Sequence, residues 1–484
     1  MNSIVWFRQD LRLCDNPALV HAASLGPIIP VFILEENSPG THSFSGTAQA
    51  WWLHHSLQAL SSDLPELRLF RGRPEEILSE LAKKTGANAV FWNRRYEPVA
   101  IERDKKTKTL LCDHGIEVQS FAASLLAEPW TIKNGSGLPF KVFTPYWRSV
   151  RGRRFQPPLP RPDNLRIYNF PHDTRSSAPT PSRLEDWQLC PRNPDWAENW
   201  LDHWTPGEAG AFARLDHFIN AGLRGYAALR DRPDRPNTSR LSAHLHFGEI
   251  SPMQIAHVTA FASQTDPLLE EDAAKFMSEI GWREFAHHLH FHFPDLDKKN
   301  WKTTFDRYPW NKDDEALNAW KKGLTGYPIV DAGMRELWQT GFMHNRVRMV
   351  AASFLIKHLR IDWREGARWF LETLLDADLA NNSAGWQWVA GSGADASPYF
   401  RIFNPTTQAR KFDPEGTYIR KWCPELSDLD GASIHAPFEV PLDALARAGV
   451  VLGRTYPVPI VDHREARKSA LDGYALVKDP AAGG

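Results

Sequence analysis

The stretch PIIPVFIL, residues 27–34, is a continuous apolar run of strand length, and it decides the fold of the N-terminal part of the chain. Similar runs are SIVWF at 3–7, LRLF at 67–70 and NAVFWN at 88–93. Helical patterns lie between them, at 48–64 (AQAWWLHHSLQALSSDL) and 74–86 (PEEILSELAKKTG). Strands that alternate with helices predict right-handed crossovers and a parallel, doubly wound sheet.

The composition is that of a folded chain with more than one domain. A chain of 484 residues, 42% of them hydrophobic, exceeds the size at which one core usually stops growing. The formal net charge is −1, so a nucleic acid could be bound only by a local basic patch. The four cysteines form no C-x-x-C pair, which argues against a zinc site. No apolar run is long enough to span a bilayer, and we expect a soluble, cytoplasmic protein.

The sequence divides into three predicted parts. Residues 1–130 carry the strand and helix alternation, without a G-x-G-x-x-G motif or a P-loop. Any ligand of this part is expected at the carboxyl ends of the strands. Residues 131–203 are rich in Pro, Ser and Arg, which predicts a long connector. Apolar residues recur at helical spacing from 204 to 484, which predicts an all-α domain.

Local signals refine this division. Thr205 before Pro206 and Ser251 before Pro252 predict helix starts. The stretch WRSVRGRRFQ, residues 147–156, carries four arginines and no acid. A solvated loop and a nucleic-acid patch are both open interpretations of these arginines.

The stretch NTSRLSAHLHFG, residues 237–248, places several hydroxyls at the entrance of a predicted helix. Thr238, Ser239 and Ser242 lie beside N–H groups that are free in the first helical turn. This arrangement suits a phosphate or pyrophosphate. Simple capping of the helix explains the same hydroxyls.

The stretch DADLANN, residues 376–382, places two carboxylates one residue apart. Asp376 and Asp378 could bind a metal, but hard cations usually need more oxygen ligands than this stretch offers. An acidic turn at a helix end is the alternative. We predict that Arg348 pairs with Asp376, because buried carboxylates are tolerated only when they are paired.

Aromatic and imidazole side chains are abundant. Most of the 20 tryptophans are expected to pack in the core or on the surface, yet collected indoles also suit a planar ligand or electron transfer. His288 and His292 share a helical face, but the glutamate of the zinc-protease pattern is absent, and no metal is predicted. No nucleophile elbow or reactive-cysteine signature is present.

Seven stretches, in the expected order, resemble the DNA photolyase and cryptochrome family. They are WFRQDLRLCDNPAL (6–19), YAALRDRPDRPNTSRLSAHLHFGEISP (226–252), SEIGWREF (278–285), TGYPIVDAGMRELWQTGFMHNRVRM (325–349), DWREGARWF (362–370), DADLANNSAGWQWVAGSGADASPYFRIFNPTTQ (376–408) and YPVPIVDH (456–463). The resemblance implies an N-terminal α/β domain with a Rossmann-like, doubly wound parallel sheet, a connector, and an all-α domain that binds FAD.

The resemblance also implies a set of FAD-binding residues. The matching positions are Tyr226, Thr238, Ser239, Arg240, Leu241, Ser242, Arg348, Asp376, Ala377, Asp378 and Asn382. The hydroxyls would face the pyrophosphate, and Asn382 would lie beside flavin N5, where asparagine favours repair over signalling. No metal is implied.

A second set matches the pocket for a pyrimidine dimer flipped out of DNA. Its members are Glu279, Trp282, Asn345, Arg346, Met349 and Trp388, and Arg230 and Gln408 match further DNA-contacting positions. Asn345 and Met349 lie four residues apart and share one helical face. The (6-4) photolyases usually place two histidines at these two positions, so the cyclobutane dimer is the predicted substrate.

The implied reaction is DNA repair driven by light. Excited, reduced FAD passes an electron to the dimer, the ring splits, and the electron returns; Glu279 would steady the dimer radical anion. Trp386, Trp363 and Trp310 match the indole chain that reduces oxidised flavin. An antenna chromophore, methenyltetrahydrofolate or a deazaflavin, is also predicted, and an empty antenna site is the open alternative. However, RRYEPVAIERD (94–104) lacks the Asn-Glu pair that contacts the folate in some relatives.

The predicted partner is DNA that contains pyrimidine dimers, and we expect a monomer without an obligate protein partner. The alternatives are a cryptochrome-like blue-light photoreceptor and a (6-4) photolyase. The short tail after YPVPIVDH and the presence of Glu279, Trp282 and Met349 favour repair. A dark flavin oxidoreductase is disfavoured because no nicotinamide fingerprint is present.

Overall fold

The structure is a computed structural model of the chain. It describes residues 1–35, 45–170, 179–395 and 400–478. Two compact units are present: residues 1–224 with 239–294, and residues 225–238 with 295–484. This division follows packing and differs from the domains predicted from the sequence, because the helices of 239–294 pack with the N-terminal part. The domain boundaries at residues 130 and 203 stay a prediction.

The first unit contains a five-stranded parallel sheet of order β3-β2-β1-β4-β5. The strands are β1 (Ser3–Phe7), β2 (Ile28–Glu35), β3 (Arg68–Gly72), β4 (Ala89–Asn93) and β5 (Glu117–Phe121). The predicted α/β fold class is confirmed, and all four predicted strands are present. Strand β5 was not predicted, because EVQSF is polar and half exposed at the sheet edge and gives no hydrophobic run.

Helices account for the rest of the regular structure in the described residues. They are α1 (Pro17–Leu25), α2 (Ala48–Asp63), α3 (Pro74–Thr85), α4 (Pro98–Asp113), α5 (Phe143–Arg151), α6 (Glu208–His217), α7 (Tyr226–Leu229), α8 (Ser242–Phe247), α9 (Pro252–Thr265), α10 (Glu270–His292), α11 (Asp314–Lys321), α12 (Pro328–Thr340), α13 (Asn345–Ser353), α14 (Trp363–Thr373), α15 (Leu379–Ala390), α16 (Pro405–Phe412), α17 (Thr417–Trp422), α18 (Leu442–Arg447) and α19 (His463–Lys478). No helix in this described part combines the length and the apolar character needed to cross a bilayer.

The two predicted helix starts have different outcomes. Ser251 caps α9, as predicted, and it also forms a reciprocal capping box with Gln254. The start predicted from Thr205 is wrong, because α6 begins at Glu208. Gly207 adopts a φ of 105°, which a helix cannot contain, and its N–H donates to Glu249 at 2.8 Å.

Helix α10 is held against the N-terminal part of the first unit. The Glu284 carboxylate accepts from the backbone N–H of Leu126 at 2.7 Å and of Ala127 at 3.3 Å. Gly281 lies so close to the indole of Trp147, on α5, that an added Cβ would come within 2.5 Å of it. The predicted connector 131–203 therefore contains a helix that packs on α10.

The second unit is built around a large apolar core to which residues from α11 to α18 contribute. Trp320, Trp363 and Phe354 are each 0% exposed within it. Helices α14 and α15 pack side by side, as do α12 and α13. These two pairs position most of the residues that the sequence assigns to the site.

Candidate active site

Helix α15 carries three predicted site residues, and Asp378 fixes its start. The Asp378 side chain accepts from the Asn381 backbone N–H at 2.8 Å, which satisfies a free N–H of the first turn. The acidic turn follows the end of α14 and begins α15. Asn382, Trp386 and Trp388 follow on the helix. Among the described residues, no group of three or more acidic, histidine or cysteine side chains forms a metal site.

The predicted pair of Arg348 and Asp376 is confirmed. Both guanidinium nitrogens donate to the carboxylate, at 3.0 and 2.9 Å, and Arg348 Nε donates to the Met343 carbonyl at 2.6 Å. The Asp376 side chain is only 6% exposed, so the bidentate pair neutralises a buried charge. The backbone N–H of Asp378 donates to the Asp376 carbonyl at 2.8 Å. The stretch from Asp376 to Asp378, which includes Ala377, is thereby held in one conformation.

The amide of Asn382 is oriented by its neighbour helix. Its Nδ2 donates to the Ala367 carbonyl on α14 at 2.9 Å. The amide oxygen is thus left as the group that can accept a hydrogen bond. The half-buried side chain therefore keeps its oxygen as an acceptor and one further N–H as a donor.

Helix α13 separates its apolar and polar side chains. Val347 and Val350 are buried in the core, whereas Asn345 is exposed and Met349 is half buried. The side chain of His344 accepts from the Arg346 N–H at 3.2 Å and caps the helix. The amide and the thioether therefore lie on one accessible face, as the spacing predicted.

Arg346 has two partners in the second unit. Its Nη2 donates to the Asp231 carboxylate at 2.6 Å, and its guanidinium lies 4.4 Å from the centre of the Phe412 ring. The Arg230 guanidinium lies 5.8 Å from the ring of Tyr226, whose side chain is buried. Gln408 is half buried on α16, the helix that ends at Phe412.

The predicted pyrophosphate segment crosses the boundary between the two units. Thr238 ends the part that belongs to the second unit. In the first unit, Ser239 Oγ accepts from the Leu241 N–H at 3.4 Å, and Arg240 adopts a positive φ of 52°. Leu241 is buried, and Ser242 begins α8, whose C-terminal end is fixed by a 2.5 Å contact between His244 and the buried Glu249.

Helix α10 positions Glu279 and Trp282 in the first unit. The Trp282 indole stacks on Phe143 with ring centres 3.8 Å apart and an angle of 9° between the planes. Lys275 makes an ion pair with Glu279 at 3.0 Å, one turn earlier on the helix. Both predicted side chains are half buried. One face of Trp282 is covered by Phe143.

The three tryptophans of the predicted electron relay have different surroundings. Trp386 is 3% exposed and contacts Phe370 and Trp320, with ring centres 5.0 and 6.2 Å away. Trp363 is fully buried at the start of α14. Trp310 is partly buried beside Tyr308, with ring centres 4.4 Å apart. Trp386 and Trp363 thus lie on helices that pack together, and Trp310 is the most accessible of the three.

Trp388 lines a small cavity of about 20 Å³ together with Lys357 and Arg401. The Lys357 ammonium donates to the Ala390 carbonyl at 3.1 Å and lies 3.2 Å from the centre of the Phe400 ring. Burial lowers the pKa of Lys357 well below its ordinary value. The cavity is only large enough for about one water molecule.

A larger crevice of about 360 Å³ lies at the carboxyl ends of β1, β2 and β3. Its walls include Arg8, Arg71, Arg95, Phe32, Trp187 and Phe247. The rings of Phe32 and Trp187 are 6.1 Å apart. Cationic and aromatic walls at strand ends suit a planar ligand with negative charge, and the position agrees with the sequence prediction.

Family models match both parts of the chain. Residues 3–163 match the model described as DNA photolyase, and residues 276–476 match the FAD binding domain of DNA photolyase. The chain belongs to the DNA photolyase and cryptochrome family. The resemblance stated from the seven sequence stretches is confirmed, and the pair of Arg348 and Asp376 lies within the matched FAD-binding region.

Individual relatives agree with this assignment over nearly the whole chain. The deoxyribodipyrimidine photo-lyase of Agrobacterium fabrum is 52% identical and covers 98% of both chains. Cryptochrome-1 of Arabidopsis thaliana is 38% identical over 96% of this chain and 69% of its own.

Solved structures of photolyases superimpose on the same fold. A bacterial class III photolyase from Agrobacterium tumefaciens matches with a TM-score of 0.93, 52% identity, and coverage of 99% of this chain and 98% of its own. An archaeal photolyase from Sulfolobus tokodaii, solved with two FAD molecules, matches with a TM-score of 0.78, 31% identity, and coverage of 98% and 100%.

Sequence reasoning missed several residues that contact the predicted set. Asp231 and Phe412 flank Arg346, and Phe143 covers Trp282. Asp231 lies within the stretch that carries Arg230, so an acid among arginines was a usable signal. Phe143 and Phe412 offered none, because a phenylalanine in an amphipathic helix is normally a packing residue.

Proposed function

We propose that this protein is a deoxyribodipyrimidine photo-lyase, an enzyme that uses light to split cyclobutane pyrimidine dimers in DNA. The observation that carries the proposal is helix α13. It turns Asn345 and Met349 outward while Arg348, on the same helix, pairs with the buried Asp376. The photolyase relatives, similar over nearly the full chain, support the reaction.

The residues at the start of α15 fit a flavin. The pair of Arg348 and Asp376 supplies a neutral, rigid wall, and the Asn382 oxygen supplies a single acceptor that suits the N–H of a reduced flavin. Tyr226, Thr238 to Ser242, and the stretch from Asp376 to Asp378 would hold FAD. When bound, FAD supplies the light-driven electron transfer that opens the dimer.

The lesion would be read by polar and soft side chains. The Asn345 amide can donate to and accept from pyrimidine edges, and the Met349 thioether can pack on the saturated ring. Trp282 and Trp388 offer indole faces for the two bases. The Glu279 carboxyl would donate to or accept from the dimer and steady its added charge.

DNA would be held by local positive charge rather than by the net charge of −1. Arg346 and Arg230 would contact phosphates near the lesion, and Gln408 would add a polar contact. Arg346 is suited to this role because its planar guanidinium can bind a phosphate with two hydrogen bonds. Binding should weaken as salt rises.

Trp386, Trp363 and Trp310 would reduce an oxidised flavin. Trp386 would donate first, and the electron deficit would then move to Trp363 and to Trp310, the most accessible of the three. Helix packing of α14 against α15 supports the first transfer.

The crevice at the ends of β1 to β3 would hold a second, light-collecting chromophore. Its volume of about 360 Å³ lies in the range of small-molecule sites. Arg8 and Arg95 in its wall are paired with Asp104 and Glu97, so Arg71 is the arginine best suited to an anionic ligand. Methenyltetrahydrofolate and a deazaflavin both meet this description, and the archaeal photolyase solved with two FAD molecules supports a further flavin. Chromatography of the denatured parent protein would identify the chromophore. The Arg71→Glu variant should lack it. Full retention of the chromophore by Arg71→Glu would contradict this placement.

The test of the proposed function is repair by the purified, chemically reduced protein. Dimer-containing DNA and (6-4) DNA are incubated in parallel under blue light and in darkness, and repair is read from the recovery of base absorbance. Recovery of the dimer substrate only under light supports the proposal. Recovery of the (6-4) substrate alone would overturn the substrate assignment.

Variants on α10 sharpen this test. Glu279→Ala should lower the repair yield per absorbed photon by about tenfold or more, because charge stabilisation is lost. Glu271→Gln, an exposed position on the same helix, is the matched control and should leave it unchanged. A cryptochrome-like receptor, the second candidate in view of the Arabidopsis relative, would show flavin photoreduction without any repair.

Because it would act on DNA, we expect the protein in the cytoplasm beside the chromosome. We also expect it to be a monomer. Sedimentation of the free protein and of its complex with a short dimer-containing duplex would check the subunit number. One protein chain per duplex is the expected result.

A further inference from the structure

The indole nitrogen of Trp363 has a defined partner. Its Nε1 donates to the amide oxygen of Asn300 at 2.9 Å. Trp363 is 0% exposed and Asn300 is 3% exposed, so water does not compete for this hydrogen bond. The amide nitrogen of Asn300 in turn donates to the carboxylate of Asp306 at 2.6 Å. Asp306 is exposed.

The backbone around Asn300 is fixed by α15. The buried Gln387 accepts from the Trp301 N–H at 2.8 Å, and its Nε2 donates to the carbonyls of Leu296 at 2.7 Å and Lys299 at 2.9 Å. Gln387 is the neighbour of Trp386 in the sequence. The segment that carries Asn300 is thus attached to the helix that carries the first tryptophan of the relay.

A second charged group faces Trp363. The Arg364 guanidinium lies 4.8 Å from the indole centre, and it is paired with Asp362 at 2.9 Å. Its Nε donates to the Lys298 carbonyl at 2.8 Å. The positive charge above the ring is therefore balanced by Asp362, and the Asp306 carboxylate contributes negative charge through Asn300.

We propose that Asn300 is a non-basic hydrogen-bond acceptor that leaves the indole proton on Trp363 while that residue is oxidised. The proposal rests on the electron relay of the proposed function. Trp363 gives one electron to the oxidised Trp386 and is left with one positive charge, and its N–H proton remains on Nε1. Trp310 then gives one electron to Trp363, which returns to its starting state with the proton still in place.

The chemistry of the amide explains this role. An oxidised indole is a much stronger acid than a neutral one, and a carboxylate or imidazole at the same place would take its proton. An amide oxygen accepts a hydrogen bond but is not a base at neutral pH. Asn300 therefore stands between the indole N–H and the Asp306 carboxylate, a base that could take the proton. A deprotonated Trp363 would be a trap, since an electron from Trp310 alone could not restore it.

The test isolates Trp363 by a Trp310→Phe background, in which the electron deficit stops at Trp363. Transient absorption after a flash separates the protonated from the deprotonated tryptophan radical. The background protein should show the protonated radical, which recombines rapidly. Adding Asn300→Asp supplies a base and should give the deprotonated radical, with a lifetime longer by about tenfold or more. Asn300→Leu, which supplies neither acceptor nor base, should keep the protonated form.

Other outcomes would overturn the inference. If Asn300→Asp fails to fold with flavin, Asn300→His supplies a neutral base instead. A protonated radical of unchanged lifetime in both variants, or a deprotonated one in the background protein, would contradict the role of Asn300. Trp363→Phe tests the relay separately, because intact photoreduction in that variant would refute the relay itself. A purely structural Asn300 would change flavin content in the Leu and Asp variants alike, without changing the protonation state.

Discussion

Arg346 is already engaged before DNA arrives, and this has a cost for phosphate binding. The Asp231 carboxylate, with a side chain 33% exposed, accepts from it at 2.6 Å. A DNA phosphate must share or replace this partner, and the carboxylate repels the phosphate. Asp231 should therefore restrain binding to DNA of any sequence and leave lesion recognition to Asn345 and Met349.

We predict that Asp231→Asn binds DNA more tightly, by about fivefold or ~1 kcal/mol. The plot of log affinity against log salt should steepen by up to about one unit, because one more phosphate is neutralised. Fluorescence anisotropy with damaged and undamaged duplexes measures both. Asp443→Asn makes the same charge change at an exposed pair with Arg447 and is the control. Weaker binding by Asp231→Asn would mean that the carboxylate orients Arg346 for phosphate.

A second prediction concerns Trp386. Trp386→Phe removes the first donor of the relay, so photoreduction of oxidised flavin should slow by about tenfold or more. Repair by the chemically reduced variant should stay close to that of the parent, because the dimer does not need the relay. The absorbance of the flavin under blue light measures photoreduction, and the absorbance of the DNA bases measures repair. Survival of both activities would refute the assignment of Trp386.

For individual residues, the sequence was sufficient to predict the partner of Asp376. A buried carboxylate requires a cation, and Arg348 was the candidate cation. Sequence reasoning could not find Asn300, which lies 63 residues before Trp363 in the chain. A hydrogen bond between an asparagine and an indole leaves no pattern in a single sequence. The same holds for Phe143, whose stacking on Trp282 depends on how α5 meets α10.

Among the elements, α10 has an unusual attachment through Glu284. Its carboxylate is 1% exposed and accepts from two backbone N–H groups. Burial raises the pKa of Glu284 to about 7, with the guanidinium of Arg283 and the two N–H donors acting in the opposite direction. The folded chain therefore binds this proton more tightly than the unfolded chain does.

This shift predicts a pH dependence of stability. A carboxyl whose folded pKa is raised stabilises the fold fully below its ordinary pKa of 4.5, and this stability is lost as the pH rises through about 7. Relative to Glu284→Gln, the free energy of unfolding of the parent should fall by up to about 3 kcal/mol between pH 4.5 and 8. Denaturant titrations at several pH values measure it. For Glu271→Gln, on the same helix, the difference in free energy of unfolding from the parent should not change with pH. If that difference is also independent of pH for Glu284→Gln, the raised pKa of Glu284 is refuted.

Elements with a strong apolar period were predictable, and those fixed by contacts were not. The spacing in α9, α10, α12 and α13 identified each helix, because one face of each is buried. Strand β5 was missed because pairing with β4, and not its own burial, makes it a strand. The start of α6 was misplaced because a contact between Gly207 and Glu249, distant in sequence, sets it.

For the whole molecule, each compact unit is built from two separate segments of the chain. The change in composition near residue 203 marked a boundary of sequence character, whereas packing joins 239–294 to the N-terminal 224 residues. The composition of a segment indicates whether it tends to be exposed or buried. It does not indicate which distant segment a helix packs against. The fold class was therefore predictable from the sequence. Which segments of the chain form each compact unit was not predictable.

This packing makes a prediction about the fragment 204–484, the helical domain defined from the sequence. It lacks Trp147, whose indole covers Gly281, and the N–H groups of Leu126 and Ala127 that bind Glu284. It would expose the apolar face of α10 and leave the Glu284 carboxylate without its two backbone donors, with Arg283 as its remaining partner. We expect the fragment to aggregate when it is expressed alone, and gel filtration with near-ultraviolet circular dichroism measures this.

Co-expression with residues 1–203 is the matched control, because it restores every missing contact without a peptide bond. The two fragments should then co-purify and unfold in a cooperative transition. Fragment 204–484 alone, if it stayed monomeric with fixed aromatic signals, would show that the sequence boundary is a true folding boundary. In that case the attachment of α10 to the N-terminal part would contribute little to folding, and the pH dependence of Glu284 should be small as well. The two measurements therefore test one physical claim, that α10 is stabilised by the N-terminal part of the chain.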